Sequence, residues 1–246
     1  MKNRYVVLTG VSGYVGSSLA KIFSHNGYLV IGIDLHPPKH EFCNFFLEFD
    51  LLLILNCNHQ MYNFRDVLIS HLSDGELHAF IHSAAIQKLD DNDFSDVSNF
   101  INHQVINSAS ALFFYRVLYD FLCATKGQFI NIGSVHSLLT KPNFLSYSAS
   151  KSSLRSLTKS LAIENKGAFR IFSIEPAAID TPMLNSGFKD EKNIVLLRQF
   201  HPANHICTSD ELALFVFDLF STDSMFLHGS NIDFNGGISA RLHDPE

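Results

Sequence analysis

Two hydrophobic patterns alternate along the chain. Tyr5-Val6-Val7-Leu8 is a continuously apolar, β-rich run, as expected of a strand buried on both faces. A glycine-rich turn follows. The next run, Val15 to His25, is amphipathic, with Leu19, Ile22 and Phe23 on one side, and Gly27 ends it. Leu29-Val30-Ile31-Gly32-Ile33 predicts a second buried strand closing with Asp34. This strand–turn–helix–strand stretch has the size of a βαβ unit, roughly thirty residues.

His36-Pro37-Pro38 breaks the pattern. A third strand is expected from Phe45 to Phe49, ending at Asp50, and a weak helix from Phe64 to Leu72. Ala79-Phe80-Ile81-His82 predicts a fourth strand. Val97 to Cys123 reads as helix, one long or bent. Phe129-Ile130-Asn131-Ile132 predicts a fifth strand, and Tyr147 to Glu164 a helix with Leu154, Leu157 and Leu161 at helical spacing. Phe169 to Ile174 is a sixth strand, stopped by Pro176. Asp210 to Phe220 is a helix that Ser209 or Asp210 can cap. Asn231 to Phe234 is a last strand before Gly236-Gly237. Strands alternating with helices predict an α/β fold: a Rossmann-like, doubly wound parallel sheet in three α/β/α layers. With no repeat, low-complexity tract or linker, the expectation is a single domain over 1–246.

Composition narrows the function classes. A chain of 246 residues that is 46% hydrophobic and 17% charged can bury a large core. The net charge of −6, without a Lys/Arg run, gives nucleic acid no electrostatic footprint. Cys43, Cys57, Cys123 and Cys207 are scattered, and read as reduced, buried thiols of a cytoplasmic protein. The apolar run from Tyr5 is too short for a signal peptide, and apolar stretches such as Leu51 to Leu55 are too short for a membrane span. His36, His40, Cys43, Cys57 and His59 lie close in sequence but match no zinc spacing, so no metal is expected.

Thr9-Gly10-Val11-Ser12-Gly13-Tyr14-Val15-Gly16 follows a strand and opens a helix. A pyrophosphate needs close backbone approach and a helix N-terminus with free N–H groups, and a Cβ in the turn obstructs that approach. Asp34, eighteen residues after Gly16, ends the second strand. An acidic residue there accepts hydrogen bonds from adenosine ribose hydroxyls and repels a 2′-phosphate, which favours NAD(H). His36 and Lys39 nearby leave NADP(H) as the alternative.

Tyr147-Ser148-Ala149-Ser150-Lys151 opens a predicted helix, and i and i+4 share a face. A phenol has an ordinary pKa of about 10, too high for useful proton transfer near neutrality, and a neighbouring ammonium lowers it. Ser134 lies thirteen residues before Tyr147, just after the fifth strand, and Asn107 lies twenty-seven residues before Ser134.

With these residues in order, the sequence resembles the short-chain dehydrogenase/reductase family, compact branch, nearly end to end. The family's glycine turn matches Thr9 to Gly16, so the resemblance places Gly10, Ser12, Gly13, Tyr14 and Val15 against the cofactor. Asp34 and Leu35 would meet the ribose, and Asp50 and Leu51 the adenine. The Asn-Asn-Ala-Gly strand end matches His82-Ser83-Ala84-Ala85. The Pro-Gly segment matches Pro176-Ala177, with Ala178, Ile179 and Thr181 following and Met183 at the expected offset. The closing Asp-Gly-Gly matches Asn235-Gly236-Gly237.

The resemblance implies hydride transfer between a nicotinamide and a carbonyl or alcohol carbon. Tyr147 would be the general acid or base, Lys151 would lower its pKa and hold the nicotinamide ribose, Ser134 would bind the substrate oxygen, and Asn107 would build a water relay. Taken singly, Ser134 can merely cap a turn and Asn107 can satisfy a kinked helix.

Ser134, His136 and Tyr147 are the candidate substrate contacts, with His136 either lining the pocket or belonging to a surface loop. Met183 to Ile206 reads as a mobile lid or an ordinary loop. Gly13 sits one position early for the compact branch, a spelling commoner in the epimerase-like branch. Ala85 and Ala177 replace family glycines, and the short connection from Asp34 to Phe45 leaves the usual second helix truncated or absent. The helix from Asn107 to Cys123 is apolar almost all round, so its outer face meets either a second subunit, in a homodimer or homotetramer, or another helix of the chain. The expected function is an NAD(H)-dependent oxidoreductase acting on a small-molecule alcohol or carbonyl. The rivals are an epimerase or dehydratase that uses NAD transiently and a non-enzymatic dinucleotide sensor.

Overall fold

The computed structural model describes residues 2–55, 59–90, 97–185 and 191–241. Seven strands form one parallel sheet: β1 (Asn3–Thr9), β2 (Leu29–Asp34), β3 (Phe45–Glu48), β4 (Gly75–His82), β5 (Gln128–Ile132), β6 (Arg170–Pro176) and β7 (Asn231–Phe234). Their order is β3-β2-β1-β4-β5-β6-β7. The chain runs outward from β1 to β3 and then returns to the other side of β1 at β4. This reversal opens a crevice at the carboxyl ends of β1 and β4, where ligands of doubly wound sheets bind.

The helices are α1 (Tyr14–His25), α2 (His59–Leu72), α3 (Val97–Gln104), α4 (Ser110–Thr125), α5 (Leu145–Asn165), α6 (Pro182–Asn185), α7 (Glu191–Phe200) and α8 (Ser209–Ser221). The continuous apolar runs make sense because both sheet faces are covered. In β1, Tyr5 and Val7 join one core with Leu68, Phe114, Leu118 and Leu154, from α2, α4 and α5. Val6 and Leu8 join the opposite core with Leu19 and Phe23 of α1 and Leu212 and Val216 of α8. Alternate side chains of one strand thus feed two cores.

Several boundaries differ from the sequence reading. The helix expected from Val97 to Cys123, long or bent, takes the bent form and ends at Thr125: α3 and α4 are joined by a π turn, Val105–Ala109, with Asn107 at its centre. Such turns are common at functional sites. β4 starts at Gly75, because the polar Glu76 and His78 extend it beyond the apolar run. Neither Ser209 nor Asp210 caps α8. Thr208 does, in a capping box with Glu211, while Asp210 accepts a hydrogen bond from Ser18 at 2.6 Å and pairs with Lys21 at 3.6 Å. Between β2 and β3 the chain forms no helix. The candidate lid contains α6 and α7, with 186–190 outside the described residues.

α4 covers much of its apolar surface within the chain. Phe113 stacks on Phe49 at 6.5 Å, and Tyr115 and Tyr119 meet Phe169 at 6.0 and 5.5 Å. Cys43, Cys123 and Cys207 are free thiols and half-buried rather than buried, and Cys57 lies outside the described residues. Among the described residues no helix is long and apolar enough to cross a membrane, and no group of three or more His, Cys, Asp or Glu could hold a metal ion.

Candidate active site

A cleft of about 990 Å³ runs from the glycine turn after β1 to the start of α5. Gly10 has φ +74°, and a Cβ there would lie 2.7 Å from the Ala84 backbone nitrogen. A Cβ on Gly16 would lie 1.9 Å from the Gly10 carbonyl oxygen. These two glycines let α1 sit tight against the strand ends. Gly13 is different: it stands at the N-cap of α1 in extended conformation, and its Cβ would approach the Gly10 oxygen no closer than 3.3 Å. No side chain caps α1, so its first N–H groups remain available to an anion.

Polar contacts brace this turn. Ser12 N–H donates to Asp34 Oδ2 at 3.0 Å, and the Ser12 hydroxyl donates to the His36 carbonyl at 2.5 Å. His40 Nδ1 accepts from Phe42 N, which leaves Nε2–H to donate to the Val11 carbonyl at 3.0 Å. Thr9 Oγ1 accepts from Ser83 and Ala84 N–H at 3.2 Å each and donates to His82 Nδ1 at 2.9 Å. His82 Nε2–H then meets Ser110 Oγ at 3.3 Å. Burial, helped by the Lys151 charge, lowers the His82 pKa to about 3, so this link between turn and π helix is a neutral imidazole.

The far end of the cleft gathers Ser134, Tyr147 and Lys151, all buried. Tyr147 shares a hydrogen bond with the Ser134 side chain. Lys151 Nζ donates to the Ile132 carbonyl at 2.9 Å and lies 5.8 Å from the Tyr147 ring centroid. Burial lowers the Lys151 pKa to about 8. Burial likewise raises that of Tyr147 to about 12, opposed by the Ser134 hydrogen bond and reinforced by the Glu175 charge. In the protein alone, therefore, desolvation dominates, and Lys151 does not bring the phenol below its ordinary value.

Every residue expected to hold a cofactor, from Gly10 to Thr181, borders this cleft. Asn107 does not. It is fully buried, its Nδ2 donating to the Ile86 carbonyl at 3.0 Å and to Ser150 Oγ at 2.9 Å, and its Oδ1 accepting from Ile86 N–H at 2.9 Å. His136 borders the cleft, stacks on Phe144 at 4.7 Å and meets the Tyr147 ring at 5.7 Å. Burial and the Lys141 charge lower its pKa to about 4.

Three further side chains support the site and were not singled out in the sequence. Asp90 accepts from Ser146 N–H at 2.9 Å, from the Ser146 hydroxyl and from Asn99 Nδ2 at 3.0 Å, pinning the start of α5 to α3. His103 lies 6.4 Å from the Tyr147 ring. Glu175 is a carboxylate buried in β6 behind Ser134. Its signal was legible: a charged residue inside an apolar strand run is costly unless partners await it.

A family model described as enoyl-(acyl carrier protein) reductase matches residues 10–239. The chain belongs to the short-chain dehydrogenase/reductase family. Members of this family are oxidoreductases that bind nicotinamide dinucleotides. An uncharacterized oxidoreductase of Schizosaccharomyces pombe is 26% identical over 98% of this chain and 92% of its own length. An uncharacterized short-chain dehydrogenase/reductase of Sinorhizobium fredii is 25% identical over 95% of this chain, which spans only 43% of that protein. The ligand-free aldohexose dehydrogenase of Thermoplasma acidophilum superposes with a TM-score of 0.87 at 24% identity, over 100% of this chain and 98% of its own. A 4-hydroxyisoleucine dehydrogenase complexed with NADH gives 0.85 at 23%, over 98% and 100%. ElxO with NADP bound gives 0.84 at 20%, over 98% and 100%. At these identities the superpositions establish the fold alone.

Proposed function

We propose that the chain interconverts a small alcohol and its carbonyl counterpart with NAD(H), using Tyr147 as general acid and base. The observation that carries this reading is the convergence of buried Ser134, Tyr147 and Lys151 at one end of the cleft that begins at Gly10. The cleft fits a dinucleotide: Gly10 and Gly16 leave the space a Cβ would fill, and the uncapped end of α1 suits a pyrophosphate. When bound, the nicotinamide supplies the hydride donor or acceptor.

The protein's own groups do the rest. The turn from Gly10 to Val15 holds the pyrophosphate. Asp34 and Leu35 take the adenosine ribose, and Asp50 and Leu51 border the adenine. Each Asp34 oxygen accepts one backbone N–H, from Ser12 and from Leu35, and keeps a lone pair for a ribose hydroxyl. Ser83, Ala84 and Ala85, with Pro176, Ala178, Ile179 and Thr181, wall the nicotinamide half. Ser134 orients the substrate oxygen toward the phenol, which lowers the entropic part of the barrier. Tyr147, held protonated by burial, delivers its proton to that oxygen in reduction and recovers it in oxidation. Lys151 spends one N–H on Ile132 and presents the others to the nicotinamide ribose and the phenol. Asn107 keeps the π turn in place beside α5. His136 and Phe144 form the substrate wall.

We propose further that residues 1–246 act as one domain and that copies pair through α4, whose Val117 and Phe121 remain half-buried. Light scattering that gives the mass of a single copy would refute the pairing.

The testing experiment is a fluorescence titration with NADH and NADPH on wild type and Asp34→Ala. NADH binds more tightly to wild type, and the variant loses about tenfold of that preference, the scale of one charged hydrogen bond. A carbonyl panel follows, with Tyr147→Phe losing roughly 10²–10⁴-fold in turnover. Binding of neither nucleotide overturns the reading, and a preference for NADPH overturns the role of Asp34.

A further inference from the structure

Glu175 sits in a strand that buries every residue from Arg170 to Pro176. It is 1% exposed. Its Oε2 accepts from Ser134 N–H at 2.8 Å and from the Ser137 hydroxyl at 2.9 Å, and its Oε1 accepts from the Ser173 hydroxyl at 2.6 Å. Arg155 Nη1 stands 3.8 Å from Oε1. The carboxyl group occupies space that only glycine leaves open, since a Cβ on Gly133 would lie 2.3 Å from Oε2. Glycine immediately before Ser134 and glutamate immediately before Pro176 therefore fit together as one feature.

We propose that Glu175 is a positioning residue of the reaction: from behind Gly133 it fixes the Ser134 backbone, and its buried negative charge sets the electrostatic surroundings of the Tyr147 phenol. This rests on the acid/base reading of Tyr147. The carboxyl group accepts several hydrogen bonds and faces an arginine. Its charge stands close enough to raise the pKa of both Tyr147 and Lys151. The other groups that face Tyr147 are Lys151 from its own helix, His136 from the turn after Ser134 and His103 from α3. Burial holds His136 near 4, so above that pH it contributes no charge. Arg155, which also reaches Asp233 at 4.0 Å, partly offsets Glu175.

Glu175→Gln separates position from charge. Its amide oxygen can take the place of Oε2 and keep Ser134 N–H and Ser137. Its NH₂ then faces Ser173, whose hydroxyl also reaches Asn231 Oδ1 at 2.6 Å and can donate there instead. Glu175→Ala removes both position and charge. The experiment measures kcat/KM for alcohol oxidation against pH in wild type, Glu175→Gln, Glu175→Ala and Tyr147→Phe, with thermal melts of each.

Without the nearby anion the phenolate forms more readily, so the rising limb in Glu175→Gln moves to lower pH by roughly half a unit to one unit. The plateau falls less than in Glu175→Ala, where Ser134 N–H loses its acceptor and the plateau drops about tenfold. A merely structural role would not move the limb. If Tyr147→Phe is inactive but the Glu175→Gln profile superimposes on wild type, the Glu175 proposal fails alone. If Tyr147→Phe keeps the wild-type rate, the acid/base reading fails and takes this proposal with it.

Discussion

Replacing Lys151 with methionine tests the electrostatics of the site without needing a substrate. Burial lowers the pKa of Lys151 from 10.5 to about 8. At about 1.4 kcal/mol per pH unit, that gap means the buried ammonium costs the folded state about 3 kcal/mol at neutral pH. The variant removes this cost but also deletes the hydrogen bond to the Ile132 carbonyl, a loss of about 1–3 kcal/mol. At pH 7 the two effects leave Lys151→Met between equal to wild type and about 2 kcal/mol more stable.

The pH dependence is the sharper test, because the hydrogen-bond loss is the same below pH 8. Above pH 8 the unfolded chain still holds the lysine proton that the folded protein has released, so wild-type stability rises with pH. Above pH 10 Tyr147 acts in the opposite sense. Its folded value of about 12 exceeds the ordinary 10.0, so the folded state keeps a proton that the unfolded chain gives up. The window from pH 8 to pH 10 is therefore read for Lys151, and across it wild type gains about 2 kcal/mol on the variant. Urea unfolding followed by circular dichroism at half-unit pH steps measures the difference. Parallel stability curves through that window would refute the assignment of a buried, weakened ammonium.

Two further substitutions probe the scaffold. Gly16→Ala puts a methyl group 1.9 Å from the Gly10 carbonyl oxygen, so α1 must shift. NADH affinity is expected to drop more than about tenfold and stability by about 1–3 kcal/mol; native affinity in a fluorescence titration contradicts this. Asn107→Ala deletes contacts to Ile86 and Ser150 in the buried π turn. Stability should fall by about 2–4 kcal/mol, counting the stranded backbone groups, with turnover falling too. A urea midpoint within error of wild type would show that the turn stands without it.

Much of the architecture can be read along the chain. A strand buried on both faces must be apolar at every position, and a helix lying on a sheet must repeat its apolar stripe every three to four residues, so period alone separates them. That is why β1, β2, β5 and β6 emerge close to their observed bounds; that Gly10, Asp34, Ser134, Tyr147 and Lys151 share one site comes instead from the resemblance to the family. The cap of α8 is legible too, since Thr208 and Glu211 stand at capping-box spacing.

Other features depend on partners distant in sequence. Asn107 reaches Ile86 and Ser150, and Asp90 reaches Ser146, across gaps that no local pattern encodes. The lysine–tyrosine pair shows the difference most clearly. Four-residue spacing puts both side chains on one face of α5, and from charge alone the ammonium should lower the phenol. Their protonation, however, is set by how much water the fold excludes and by Glu175 from another strand, and exclusion of water acts on the two groups in opposite directions. Periodicity reports which residues are buried; the free energy of a buried charge depends on everything packed around it, which exists only once the chain has folded.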